Sequence, residues 1–485
     1  MMFLTTYKKD ASFIRFAHPA TILIVAGAIL WLITLLLLYA TFSFRNAEFF
    51  NLRSQVADAA GTSIVTGILG IWLIARGVAL FKTYPKEKKM KLLIQRRLCS
   101  SQYGNPLNLK EGEILPTVVV ERMDSEIEEF KITIFTNVRS IEQLENVSSQ
   151  ISSSLQDEFK DYAIAKMYAD IACNKVVFIA SNVSESRQLK ITHVGELMSP
   201  QVTEIPIQKG LSLDLTSSGS MLFAGKTRSG KTTGVMSVLI SALLHGPDEF
   251  GSRIVIIDPK KAELSRLPYT YSPGLDGDML PILNAVQGFS ESIVKRQQIL
   301  NEASEKAGNV VSWWDIGLCP SILFCDEYIA ARTLFPKKNG QKNSYYCLET
   351  FDNLIKRIVT MGASSGSFVI ISIAQASVSE GGLPSMLRDA LSTKVLFRPT
   401  LEEARLIWDS HQLEVLPLMN FKPGDCWLSS TDGINDSPSF VQFPDITEFD
   451  VYRQLGALLK RYYQKKTPAD VSVAKKYAGA GVENL

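Results

Sequence analysis

Eight residues near the middle of the chain, Gly225-Lys226-Thr227-Arg228-Ser229-Gly230-Lys231-Thr232, have the spacing GxxxxGK[ST]. The two glycines let the backbone curl until its N–H groups face inward at phosphate oxygens. Lys231 then reaches the β- and γ-phosphates of a nucleotide, and the Thr232 hydroxyl takes one position on Mg²⁺. Residues Gly225 to Thr233 are thus the candidate contacts for ATP. A glycine turn before an ordinary core helix is the plain alternative, but the flanks favour the phosphate loop. MLFA before it reads as a buried strand. TTGVMSVLISALLHG after it puts Val235, Val238, Leu239, Ala242 and Leu243 on one helical face.

Such a loop needs acids facing it. SILFCDEY, residues 321–328, is an apolar run ending in Asp326-Glu327, about 95 residues downstream. Asp326 would hold the metal through water, and Glu327 would polarise the attacking water. SFVIISIAQAS ends a further apolar run at Gln375, a candidate γ-phosphate sensor or an ordinary strand-end polar residue. RIVIIDPKKAEL brings Asp258, Lys260 and Lys261 to the end of another strand, where a parallel sheet presents its ligand-facing loops.

These residues need a sheet and helices to position them, and 485 residues give room for two or three domains. The net charge of +2 excludes a polycation, so any nucleic-acid contact rests on local basic patches. Six widely spaced cysteines and four histidines argue against a disulfide frame or a structural metal site.

The N-terminal part has a different solvent. Residues 16–44 contain no Asp, Glu, Lys or Arg, which is long enough to cross about 30 Å of hydrocarbon. AAGTSIVTGILGIWLIA, residues 59–75, is a second apolar run, extended to residue 81 past Arg76. Lys8, Lys9 and Arg15 precede the first run, seven basic residues follow the second within residues 82–97, and the loop between has only Arg45 and Arg53. The positive-inside rule places both termini in the cytoplasm, with the basic run against anionic lipid or solvated as a helix end. The expected organisation is a cytoplasmic N-terminus (1–18), transmembrane helices at 19–44 and 59–81, and a basic linker (82–110). A small α/β domain (111–200), a motor (201–463) and a tail (464–485) follow. In the small domain, a capping box at Ser140 opens a predicted helix carrying Ile141, Leu144, Val147, Ile151, Leu155 and Phe159.

From residue 205 to about 445 the chain resembles the motor domain of the FtsK/SpoIIIE family of DNA translocases. The resemblance rests on DLTSSGSMLFAGKTRSGKTTG, IVIIDPKKAEL, ILFCDEY, GASSG before VIISIAQAS, ARLIWD and PGDCWLSSTDG. It implies an α/β, RecA-like P-loop motor with a mostly parallel sheet, hydrolysing ATP with Mg²⁺ and working on DNA as a homo-hexamer. The chain departs from the family pattern at Ala363, where the family often has Arg, and at AQAS in place of TQRP. A trans-acting arginine is therefore sought elsewhere, at Arg388 or Arg405; a structural salt bridge is the alternative for both. Two spans, a small α/β unit and a terminal motor look like the compact TcpA-type coupling proteins of Gram-positive conjugative elements, with a relaxase and transfer-channel proteins as partners.

For DNA contact the candidate is ARTLFPKKNGQKNSYY, residues 331–346, which contains Arg332, Lys337, Lys338 and Lys342 but no acid, with Tyr345 and Tyr346 for stacking. A solvated loop is the plain reading of the same residues. Two other functions fit the motifs: a single-motor protein exporter of the type VII kind, and a nucleotide-gated docking module without processive movement.

Overall fold

The computed structural model describes residues 7, 18–44, 52–99, 104–124, 128–135, 143–144, 147–170, 174–245, 253–337, 345–374, 383–408, 421–432 and 435–464. The chain forms two compact units, Met1–Asp124 with Glu128–Ser184, and Ser125–Ile127 with Glu185–Leu485. The boundary thus lies at 184/185, whereas the sequence suggested 200/201. Residues 185–200 join the second unit because Gln188 bridges to Gln208 and Lys190 to Asp445 in β-fashion.

The first unit opens with α1 (Pro19–Phe44) and α2 (Leu52–Thr83), and residues 19–43 and 58–83 are each long and apolar enough to cross a membrane. They form a hairpin through small residues. A Cβ on Gly27 would lie 2.7 Å from the Gly70 carbonyl oxygen, and one on Gly77 would lie 2.9 Å from that of Ala20. Such backbone approach is how helices pack where solvent exclusion gives no drive. Thr34 and Thr66 share a hydroxyl–hydroxyl hydrogen bond of 2.9 Å between the helices. Leu32, Leu36, Phe42, Ile64, Val65 and Ile68 instead point outward, opposite to the pattern of a water-soluble core helix.

The expected linker is in part a packed helix, α3 (Lys86–Cys99), which buries Met90, Ile94 and Leu98. Its basic residues are partly committed: Lys86 pairs with Glu128 at 2.8 Å and Lys89 with Glu158 at 3.2 Å. The sheet of this unit is antiparallel, in the order β1 (Val118–Arg122), β2 (Glu129–Phe135), β4 (Lys175–Asn182), β3 (Tyr162–Ala169). The helix predicted across residues 141–159 is shorter, with its described core at α4 (Ser148–Ser154). Residues 140–142, which include the start of the capping box, lie outside the described residues. Leu155 is already non-helical and Phe159 sits in a separate 3₁₀ turn. The serines explain the early stop: Ser153 and Ser154 bond back to the carbonyls of Gln150 and Ile151, which competes with helix propagation. Leu144, Val147, Ile151, Leu155 and Phe159 still reach the core.

The second unit is a three-layer α/β domain. Its eight-stranded sheet runs β14 (Ser439–Gln442), β13 (Asp425–Ser430), β12 (Thr393–Phe397), β7 (Met221–Gly225), β11 (Ser367–Ile373), β10 (Ser321–Cys325), β8 (Ile254–Ile257), β9 (Thr270–Tyr271). The six strands from β12 to β9 are parallel, whereas β13 and β14 pair antiparallel. A hairpin of β5 (Glu204–Gln208) and β6 (Leu211–Asp214) stands apart. The central strands are buried on both faces, which is why they read as unbroken apolar runs. Met221 and Phe223 join one core layer while Leu222 and Ala224 join the other. α5 (Lys231–Leu244) covers the first face. α6 (Leu280–Ala307) begins on the second face and ends on the first, and α8 (Leu348–Met361) covers the second. α7 (Tyr328–Leu334) follows β10, and α9 (Val451–Gln464) closes the domain.

Candidate nucleotide site

The site lies at the carboxyl ends of the parallel strands, where α/β sheets hold ligands. β7 ends at Gly225 and α5 starts at Lys231, so the five residues between them make the whole turn. Gly230 has φ 96°, and a Cβ there would stand 2.4 Å from the Gly424 nitrogen. Gly424 in turn donates to the Ser229 carbonyl at 3.0 Å. The loop is thus braced from outside by PGDC, a role that neither segment reveals alone. Ser229 Oγ is buried without a hydrogen-bond partner among the described residues, a donor suited to a phosphate oxygen.

Lys231 is buried and donates to the Ile373 carbonyl at 3.0 Å, and its Nζ lies 3.7 Å from Glu327 Oε1. Register explains the meeting: β11 lies between β7 and β10, so the β7 loop and the β10 acids converge over the end of β11. Burial pushes the Lys231 ammonium below its ordinary pKa, and the Glu327 charge partly restores it. Burial likewise raises the Asp326 carboxyl, against the pull of Lys231. A half-buried acid of this kind suits an arriving cation, and Thr232 is exposed; with Mg²⁺ bound, the metal would neutralise phosphate charge.

Glu327 has left-handed backbone, φ 46°, at the start of α7. Arg228, Lys261 and Arg398, which follow β7, β8 and β12, also have positive φ, between 47° and 63°. Non-glycine residues in this region cost on the order of 1 kcal/mol each and gather where function fixes the backbone.

The other sequence candidates divide. Lys260 is exposed and reaches Glu327 Oε1 at 3.4 Å. Asp258 does not face a ligand: it is fully buried and accepts from the backbone N–H groups of Lys260, Ala262 and Ser265. Arg388 donates to Asp389 and to the Leu406 carbonyl within its own chain, while Arg405 is exposed. Arg332 is not a free DNA contact. It sits in α7, bound through two nitrogens to Asp352, which also accepts from Tyr328. Tyr346 is held too, its hydroxyl accepting from the Met279 N–H at 2.8 Å. Lys337 and Tyr345 are exposed. Gln375, Lys338 and Lys342 lie outside the described residues.

Sequence reasoning missed Glu403. It is 7% exposed, accepts from the Thr400 hydroxyl, and lies 3.7 Å from Lys226 of the phosphate loop. The signal was present as a capping box, Thr400-x-x-Glu403, but its contact with the loop is purely tertiary.

Fold and site together define a class: a P-loop ATPase domain on a mostly parallel sheet. Residues 185–310 match the FtsK/SpoIIIE family, so the resemblance carried by the motifs is borne out. The FtsK domain-containing protein YdcQ of Bacillus subtilis (strain 168) is 26% identical over 195 residues, 39% of this chain and 36% of that protein. The DNA translocase FtsK of Helicobacter pylori (strain J99) is 23% identical over 272 residues, 50% of this chain and 29% of the relative. The matched region is therefore about a third of each relative's length. Among solved structures, the pCW3 conjugation coupling protein TcpA, in a monomer form with ATPγS, is similar with a TM-score of 0.45 and 14% identity, over 77% of this chain and 99% of that one.

Proposed function

We propose that the protein is a membrane-anchored, ATP-driven DNA translocase, a coupling protein that brings DNA to or through a conjugative transfer channel. The observation that carries this reading is the convergence of Lys231, Asp326 and Glu327 on one phosphate loop in an FtsK/SpoIIIE domain. The two apolar helices ahead of it support the anchor.

The chemistry follows from the site. Loop N–H groups and the Ser229 hydroxyl bind phosphate oxygens, and the N-terminus of α5 adds partial positive charge. Lys231 exchanges the Ile373 carbonyl for the β- and γ-phosphates, which attract an ammonium far more strongly than a neutral dipole does. That exchange releases Glu327 to hold a water in line with the γ-phosphate and accept its proton, with Lys260 3.4 Å from the same carboxylate. Asp326 and Thr232 would hold a magnesium ion, which would neutralise phosphate charge, and Gln375 senses the γ-phosphate. Arg405 reaches a neighbouring subunit's nucleotide in a hexamer, since Arg388 is engaged within its own chain. Lys337, Lys338 and Lys342 contact the DNA backbone. Both termini face the cytoplasm, and a relaxase and channel proteins are the partners.

The test is ATP hydrolysis by the full chain in detergent, with single-stranded DNA, double-stranded DNA or none. DNA should raise the rate several-fold. Stimulation by an exported polypeptide and not by DNA would make the chain a protein exporter, and binding without turnover would make it a docking module.

A further inference from the structure

In the first unit, a cavity of about 360 Å³ lies where α1 begins and α2 ends. Its wall includes His18, directly before the first span, and Phe81, in the last turn of the second. Leu92, Leu93, Lys89 and Arg96 of α3 also line it, as do Asp157 and Glu158.

His18 supplies the decisive detail. Its ring packs between Phe81 and Tyr84, with centroids 5.1 and 4.5 Å away. Nδ1 accepts from the Ala20 N–H at 3.2 Å, which puts the proton of the neutral ring on Nε2. Burial, helped by the Lys89 charge, holds His18 below the usual imidazole pKa, so the neutral ring prevails. Nε2 is buried and has no hydrogen-bond partner among the described residues. An N–H left in that state costs about 1–3 kcal/mol, so the site calls for an acceptor.

The surroundings say which acceptor. Lys89 lies over the Phe81 ring and pairs with Glu158 at 3.2 Å, which offsets one of the two acids. α3 carries six Lys and Arg residues against the single acid Glu87. Phe81, Leu92 and Leu93 make the adjoining surface apolar. A phosphate group attached to a hydrocarbon tail fits both halves, and the ends of the two spans set the height at which a bilayer presents it.

We propose that this cavity binds a membrane glycerophospholipid, its phosphodiester accepting from His18 Nε2–H and Arg96 and its acyl chain lying along Phe81, Leu92 and Leu93. The inference rests on the reading that α1 and α2 cross the membrane. A free phosphate ion is disfavoured because Phe81, Leu92, Leu93 and Phe159 line the cavity with apolar surface.

The test is native mass spectrometry of the full chain in mild detergent, with phosphatidylglycerol, diacylglycerol or inorganic phosphate added. Phosphatidylglycerol should be retained at least about ten-fold better than diacylglycerol, and millimolar phosphate should not displace it. His18→Phe keeps the ring packing but loses the N–H, and should lower retention about ten-fold. Arg96→Gln should weaken it independently, and both variants should stay in the membrane fraction. Equal binding of diacylglycerol, displacement by phosphate, or unchanged retention in both variants would overturn the lipid site. Recovery of the wild-type chain outside the membrane fraction would overturn the anchor, and the lipid site with it.

Discussion

At the scale of single residues, the nucleotide site is a contest for Lys231. The ammonium now has a carbonyl at 3.0 Å and a carboxylate at 3.7 Å, both weaker attractions than a triphosphate. Lys231→Ala should abolish measurable hydrolysis and weaken ATP affinity at least about ten-fold, as read by a fluorescent nucleotide. Glu327→Gln should behave differently: the nucleotide stays bound while turnover falls about 10²–10⁴-fold, the usual worth of a general base. Rapid phosphate release by that variant would mean that another residue orients the water. Arg332 shows how composition misleads: a cation in a basic stretch, it is bound through two nitrogens to Asp352. Asp352→Asn should cost about 2 kcal/mol of stability in denaturant unfolding, while Arg332→Gln should leave the salt dependence of DNA binding unchanged.

At the scale of elements, two close approaches decide function. The phosphate loop is backed by the turn at Gly424, with no space for a methyl group on Gly230. Gly230→Ala has to open that contact and also adopt φ 96°. It should destabilise the domain by about 1–3 kcal/mol and lose nucleotide binding, whereas an unaltered melting temperature would mean the turn is free to move. The α1–α2 hairpin is the second case. Thr34→Cys with Thr66→Cys should cross-link readily, since the native hydroxyls are 2.9 Å apart. Adding Gly27→Ile should suppress that link, because its side chain would run into the Gly70 carbonyl.

For the whole molecule, the two units present different surfaces to their surroundings. The apolar exterior of α1 and α2 suits hydrocarbon, whereas the second unit has fully buried strands and a polar edge where its loops converge. If the lysines after α7 hold DNA by charge alone, replacing Lys337, Lys338 and Lys342 by Gln should flatten the plot of log affinity against log salt. The slope should fall by roughly 0.7–0.9 per lysine. An unchanged slope would take this loop out of the DNA path.

The sequence alone determined whatever depends on neighbours along the chain. A phosphate loop is one continuous turn, a span is one continuous apolar run, and a strand buried on both faces is one unbroken apolar stretch. Backbone geometry and solvent fix each of these locally, so residues 225–233, the first long apolar helix and the apolar run before Asp326 were legible. The tertiary structure decided what depends on distance through space: Lys260 beside Glu327, Glu403 against Lys226, Asp258 turned inward as a loop brace, Arg332 bound to Asp352. The physical reason is that a charged side chain has the same appearance in a sequence whether it meets water, an opposite charge or a ligand. Only packing settles which of the three it meets.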